Sequence, residues 1–174
     1  MMSDSVLYMN NTIVRNAIAK DGGAIYLLGY SNLTIQLSTF TNCVALNKGG
    51  AVYASSFDQM LIIASNFSSN KASISGDALY AANSIGYMNV NDSSIFVSSI
   101  PSNFMYLSSL EEVNITTVSV YSSTKTLTEA IASEFSGIYA ENVKYFDLVS
   151  SKIFNMMSSG KGGCLYISEN TNSK

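Results

Sequence analysis

The chain has 174 residues, a formal net charge of −3 and 47% hydrophobic residues, but only 12% charged ones. That length holds one domain with a core of its own. One arginine (Arg15) and eight scattered lysines exclude the clustered basic stripe of a nucleic-acid surface, no apolar run reaches the roughly 18 residues of a transmembrane segment, and two cysteines make no disulfide framework.

Polarity comes instead from 17 asparagines, 30 serines and 10 threonines. Beside β-branched and aromatic residues, these suit strands and tight turns better than helices. The opening MMSDSVLYMNNTIV has neither the basic start nor the long apolar stretch of a signal peptide. No targeting signal therefore fixes a localisation.

In chain order, the first apolar position with later counterparts is Ile13. Then come Gly22-Gly23-Ala24-Ile25-Tyr26, the pair Leu33 and Ile35, and Phe40. The series returns as Gly49-Gly50-Ala51-Val52-Tyr53, Met60 and Ile62, and Phe67. It returns again as Gly76-Asp77-Ala78-Leu79-Tyr80, Met88 and Val90, and Ile95. Ile25, Val52 and Leu79 are spaced by 27 residues, as are Ile138 and Leu165. Residues 103–134 hold a degenerate copy with Met105 or Tyr106 in the aliphatic column, Ile115 in the second and Val120 in the third. Leu148 and Ile153 extend those two columns. Leu79 and Ile138 lie 59 apart, five more than two periods. The stretch TKTLTEAIASEF, residues 124–135, carries most of that excess, as a simple bulge first and otherwise as one external turn of helix or a protruding loop.

The faces alternate with period two. Ile25/Leu27, Val52/Ala54, Leu79/Ala81, Ile138/Ala140 and Leu165/Ile167 point one way. Tyr26, Tyr53, Tyr80, Tyr139 and Tyr166 point the other. These segments are strands with one buried face. Each copy holds two clear short strands and a third segment at the Phe40 column, with no convincing helix. A unit this small cannot bury its own apolar face, so copies must stack. The expected fold is all-β: one right-handed, single-stranded parallel β-helix over residues 1–174, with about six coils. Gly22-Gly23, Gly49-Gly50, Gly76 and Gly162-Gly163 fall at corners, which need positive φ or close backbone approach. Both ends of the sequence lie inside the repeat, so it reads as part of something longer. Flanking coils or another subunit are expected on at least one end.

STFTNCVALNKGGAVYAS and SNFSSNKASISGDALYAA resemble the repeats of chlamydial-type polymorphic membrane proteins. Those carry a GGA-aliphatic element, matched by Gly22–Ile25 and Gly49–Val52, and an F-x-x-N element, matched in full by Phe67–Asn70. Phe40–Cys43 has its Asn one place early, and Ile13–Asn16 has Ile for Phe. The match covers residues 10–82 well and 135–170 loosely. The resemblance implies a parallel β-helix in a cell-surface or secreted protein of bacteria or protists, serving adhesion. The membrane-anchoring barrel of bacterial members has no counterpart here.

A lyase or hydrolase on this scaffold needs paired acids, or an acid with basic partners, projecting from neighbouring coils. Asp21, Asp58, Asp77, Asp92 and Asp147 form no column, Glu111-Glu112 is the only adjacent acidic pair, and histidine is absent. The expected function is non-enzymatic, a structural or adhesive scaffold for protein or glycan contacts or assembly. No cofactor or metal is expected: Asp21 and Asp77 read as turn caps. The alternatives are a carbohydrate-binding or polysaccharide-lyase-like domain, and an architectural subunit of a larger assembly. Cys43 and Cys164 lie too many coils apart to bridge. Candidate glycosylation sites are Asn10, Asn32, Asn66, Asn91 and Asn114, no more than this Ser/Thr content gives by chance. Tyr26, Tyr53, Tyr80, Tyr139 and Tyr166 form an expected outward ladder, read first as stacking that stabilises rungs and second as an interaction stripe.

Overall fold

The computed structural model describes residues 5–97, 103–122, 137–156, 158 and 160–169. It is a parallel β-solenoid, and no described residue is helical. A first partial coil holds β1 (Ser5–Asn10), β2 (Ile13–Arg15) and β3 (Ile18–Ala19). The next holds β4 (Ile25–Leu28), β5 (Ser31–Gln36), β6 (Thr39–Thr41) and β7 (Val44–Ala45). The third repeats it as β8 (Val52–Ser55), β9 (Gln59–Ile63), β10 (Asn66–Ser68) and β11 (Lys71–Ala72). After that the first two strands fuse. β12 (Leu79–Asn91) is followed by β13 (Ser94–Val97), β14 (Met105–Thr116) by β15 (Ser119–Ser122), and β16 (Ile138–Val149) by β17 (Lys152–Phe154). β18 (Leu165–Ser168) begins a further coil.

Every strand pairing is parallel and joins equivalent positions of successive coils. The first column runs Ile25, Val52, Leu79, Met105, Ile138 and Leu165, which is five full turns with partial coils outside them. Met105 takes the aliphatic place, and Tyr106 therefore joins the tyrosines. The second column runs Met9, Ile35, Ile62, Val90, Ile115 and Leu148. These inward residues, with Phe40, Phe67, Met60, Met88 and Leu107, make one continuous core. Along β14 the copy at 103–116 keeps one unbroken register with β16 and pairs with β12 on both sides of a single register shift. The irregularity falls one coil earlier, as a bulge between Ser84 and Tyr87. Residues 124–135 lie outside the described residues.

One column differs from expectation. Val14, not Ile13, stands opposite Phe40, while Ile13 pairs with Thr39 and is 62% exposed. The cause is the corner after β3, where Lys20–Ala24 has one residue fewer than Leu46–Ala51 after β7. The preceding columns therefore step by 26, not 27, and the adjacent apolar residue turns inward. The reading of Ile13–Asn16 as F-x-x-N fails with it. Asn16, Asn42, Ser69 and Asn155 instead share a corner at positive φ.

The corners recur in columns of left-handed backbone. One holds Asn11, Leu37, Ala64, Asp92, Thr117 and Ser150, with φ of 47–55°. Another, where the first face bends, holds Gly29, Ser56, Asn83, Ser109 and Asn142. The glycine pairs divide two tasks: Gly49 has φ of 68°, and Gly50 lies where a Cβ would run into the backbone of Lys71 and Asp77 in the next coil.

Candidate functional site

The outward side of the first face carries one uninterrupted aromatic column. Tyr26, Tyr53, Tyr80, Tyr106, Tyr139 and Tyr166 stack with ring centroids 4.8–5.0 Å apart and planes within 15° of parallel. Parallel strands at a spacing of about 4.8 Å place like side chains one above another, and this matches the thickness of offset-stacked rings. The five tyrosines expected from the sequence all belong to the column. Tyr106 is the sixth, hidden by the shortened step of 26 residues from Tyr80.

Two charged groups tie down the middle rungs. Lys48 Nζ donates to the Tyr80 hydroxyl at 3.1 Å and sits 4.6 Å from the centroid of that ring. The bond to Tyr80 outweighs burial and raises the lysine above its ordinary value. Asp21 accepts from the backbone N–H of Lys48 at 3.3 Å and from Asn47 at 3.4 Å, so it caps this corner as expected. One coil beyond Tyr106, Glu141 accepts from Tyr106 (2.6 Å), Tyr139 (2.8 Å) and Ser108 (3.0 Å). Burial pushes its carboxyl up, but these three donors outweigh burial and hold it below the ordinary glutamate value. Burial, and then the bond to Glu141, push the Tyr106 phenol above its usual range. Burial and its neighbours Tyr80 and Tyr26 raise Tyr53.

This geometry limits what the column can bind. Each inner ring has its faces against its neighbours, so those faces cannot stack on a sugar. What the column presents is ring edges and hydroxyls. Those of Tyr80, Tyr106 and Tyr139 are already bonded. Tyr26, 54% exposed, and Tyr53 make no hydrogen bond through theirs among the described residues.

Comparison with protein-family models, curated proteins and solved structures gives no match. The chemistry of this face therefore rests on its own residues.

The other candidate residues scatter. Asn10 and Asn66 are exposed, whereas Asn32, Asn91 and Asn114 are half-buried. Asn114 donates to Asn89 and Glu112, and the Asn32 carbonyl oxygen is buried with no partner among the described residues. Glu111 pairs with Lys144 at 2.6 Å, both exposed. Asp77 accepts from the Ala72 N–H at 2.7 Å inside its corner. Among the described residues no three His, Cys, Asp or Glu side chains gather as a metal site. Both cysteines are free thiols. Cys43 is buried, and burial raises its thiol. Cys164 is exposed rather than buried, because it belongs to the last described coil.

A second ladder escaped the sequence reading. Thr12, Ser38 and Ser65 each donate their N–H to the hydroxyl of Ser38, Ser65 and Ser93 in the next coil, at 3.1–3.2 Å. Each of these serine hydroxyls donates back to the carbonyl two residues before it. Val118 and Ser151 continue the column. Its signal was a hydroxyl residue two places before Phe40, Phe67, Ile95 and Ile153. Asn70 is another buried tie: it accepts from Cys43 N–H (2.9 Å) and donates to Phe40 C=O (3.0 Å).

Proposed function

We propose that this chain is a non-enzymatic scaffold of the polymorphic membrane protein type, displayed at a cell surface or secreted, whose tyrosine column meets an elongated partner. The carrying observation is the six-ring column, which repeats one hydroxyl-bearing edge every 4.8–5.0 Å along the solenoid axis. A partner that fits is an extended glycan or peptide whose own polar groups repeat along its length.

The acids support the non-enzymatic part. Asp21 and Asp77 cap corners, Glu111 pairs with Lys144, Glu112 accepts from Asn114, and Glu141 holds two phenols and a serine. Asp21, Glu111 and Glu141 tie neighbouring coils, and Asp77 and Glu112 bond within their own.

The test is a bead-adhesion assay against a glycan array and extended peptides. It compares the chain with a Tyr26→Phe, Tyr53→Phe variant, which keeps the rings and removes only the two hydroxyls. Retention that drops at least fivefold in the variant, at unchanged melting temperature, supports the reading. Retention no greater than on bare beads, or equal for both proteins, overturns it.

A further inference from the structure

The bend in the first face is built differently in one coil. Leu28 to Asn32, Ser55 to Gln59, Ser108 to Glu112 and Glu141 to Tyr145 join equivalent positions in steps of the same length. Ala82 to Tyr87 joins the same two positions with one residue more. That extra residue is the bulge of β12, and its register shift is the only one among the described strand pairings.

The bulge is locked. Gly86 N–H donates to Ser84 Oγ at 3.0 Å, the Ser84 hydroxyl donates to Phe57 C=O, and Tyr87 N–H donates to Asp58 C=O at 3.1 Å. A Cβ on Gly86 would run into the Asp58 carbonyl, so the glycine is what lets the two coils close here. The result is that Ile85 is held outward, 80% exposed, on a rigid support. Bulges serve to re-aim a side chain and gather beside binding sites.

Beside Ile85 lies a cavity of about 90 Å³, lined by Tyr30, Ser56, Phe57, Asn83 and Ile85 from three successive coils. Phe57 is buried and gives it an apolar lining. The side chains of Ser56 and Asn83 make no hydrogen bond among the described residues. Tyr30 is half-exposed and, unlike the rings of the tyrosine column, stacks on no other ring among the described residues. No lining side chain is charged.

We propose that this cavity binds the acetamido group of an N-acetylated sugar. An uncharged lining suits a neutral group, since a buried charge would go unpaired. At roughly 30 Å³ per water the cavity holds about three waters, which is room for the about four heavy atoms of an acetamido group but not for a sugar ring. A carboxamide donates and accepts at once, and a hydroxyl does either. The complement of Asn83 and Ser56 is therefore a secondary amide: its carbonyl accepts from Asn83 Nδ2 or the Ser56 hydroxyl, and its N–H donates to Asn83 Oδ1. The acetyl methyl then meets Phe57 and Ile85. A peptide amide continues as chain on both sides and cannot enter so small a pit, whereas a pendant acetyl ends in a methyl and can. The sugar ring that carries it stays outside, where Tyr30 offers a free aromatic face for its C–H groups. None of the lining residues belongs to the tyrosine column, so the site stands or falls independently of what that column meets.

Amide NMR titration of the isotope-labelled chain tests the site. The probes are N-acetylglucosamine, glucosamine, glucose and a peptide carrying Nε-acetyllysine. Expected with N-acetylglucosamine are saturable shifts at Ser56, Phe57, Asn83 and Gly86, a Kd of millimolar order, and saturation transfer to the acetyl methyl. Glucose and glucosamine should bind about tenfold more weakly or worse. Ile85→Ser changes an exposed side chain, and Asn83→Asp keeps a residue that tolerates the left-handed corner while removing the amide donor. Each should weaken binding at least fivefold with the fold intact by circular dichroism. The Tyr26→Phe, Tyr53→Phe variant should bind as wild type does, which separates this site from the column. No localised shifts up to the solubility of the sugar overturn the proposal. So does equal affinity for glucose, or full affinity in both cavity variants. Tighter binding of the acetyllysine peptide than of the sugar overturns the choice of ligand.

Discussion

Gly50→Ala isolates the cost of close coil approach from that of backbone conformation. Gly50 does not have positive φ, so alanine is not strained by its own backbone there. Its Cβ, however, would lie 2.6–2.7 Å from Lys71 backbone atoms and closer still to the Asp77 carbonyl oxygen. None of these atoms belongs to a side chain that could swing away. Reaching ordinary contact near 3.4 Å from the Asp77 oxygen, which would lie at 2.1 Å, requires the two coils to part by more than an ångström. The same corner is held by Gly49 N–H to Ser75 C=O at 3.0 Å and Gly50 N–H to Gly76 C=O at 2.9 Å. Parting the coils breaks both bonds in a buried place, at about 1–3 kcal/mol each. The expected loss is therefore about 3 kcal/mol, or roughly 6–12 °C in melting temperature for a chain of this size. Gly163→Ala is the control, since its Cβ meets nothing within 4 Å and its φ is not positive. Alanine there should be neutral or stabilising by about 0.4–1 kcal/mol through the unfolded chain. Urea denaturation of both variants measures the difference. Equal midpoints for the two would refute the close-approach account of the corner.

Tyr80 lies between two rings and is 7% exposed, whereas Tyr26 touches one ring. Tyr80→Ala should cost about 3 kcal/mol and Tyr26→Ala about 1 kcal/mol or less by thermal melting; equal costs would deny the ladder a structural role. Asn70→Ala strands the Cys43 N–H and the Phe40 C=O, so a loss of about 2–4 kcal/mol is expected. Hydrogen exchange at Cys43 should accelerate with it, and unchanged protection there would count against the tie. Glu141 has a folded pKa below its unfolded one, so its contribution is present above about pH 4.3 and fades as pH falls through the folded value. The stability advantage of wild type over Glu141→Gln should shrink below that pH, and a constant advantage from neutral pH to pH 3 would contradict the cradle. Tyr106 shifts upward, so its contribution is present below about pH 10 and fades as pH rises through its folded value. Ultraviolet titration should find a phenol that ionises later in wild type than in Glu141→Gln.

What the sequence revealed depends on how each contact is encoded. Ile25, Val52 and Leu79, and the tyrosines beside them, announce themselves because a parallel stack needs like residues at like positions. The corner residues do not. Leu37, Ala64 and Thr117 occupy left-handed backbone, which costs roughly 1–2 kcal/mol for a residue with a Cβ. Hydrogen bonds between coils override that preference, so no turn residue marks these corners in the sequence. Val14 against Ile13 was undecidable by hydropathy, since both are apolar and a single missing corner residue chooses between them. The fusion of two strands into β12, β14 and β16 was equally hidden. Ser56 and Asn83 both adopt positive φ at the bend, yet the strand breaks at one and runs through at the other. The Glu141 cradle was invisible because Tyr106 and Ser108 lie 35 and 33 residues away, outside the 27-residue period.

The charged groups also give the tyrosine face a direction. Lys48 stands at the third rung and Glu141 at the fourth and fifth, so a cation and an anion are separated along the axis rather than across it. A partner lying along the column meets two bare hydroxyls, then a lysine, then a carboxylate already supplied with three donors. On the proposed reading, Glu141, having taken its hydrogen bonds from within, would act on a ligand mainly through its charge. The bare hydroxyls of Tyr26 and Tyr53 are the groups left to form new hydrogen bonds. On the proposed reading, affinity therefore concentrates in the first two rungs, and the Lys48-to-Glu141 order sets which way round an extended ligand lies. Reversing that order with the pair Lys48→Glu and Glu141→Lys would break the internal bonds as well. Lys48→Gln is the cleaner probe, because a glutamine can still donate to Tyr80 while the positive charge is gone.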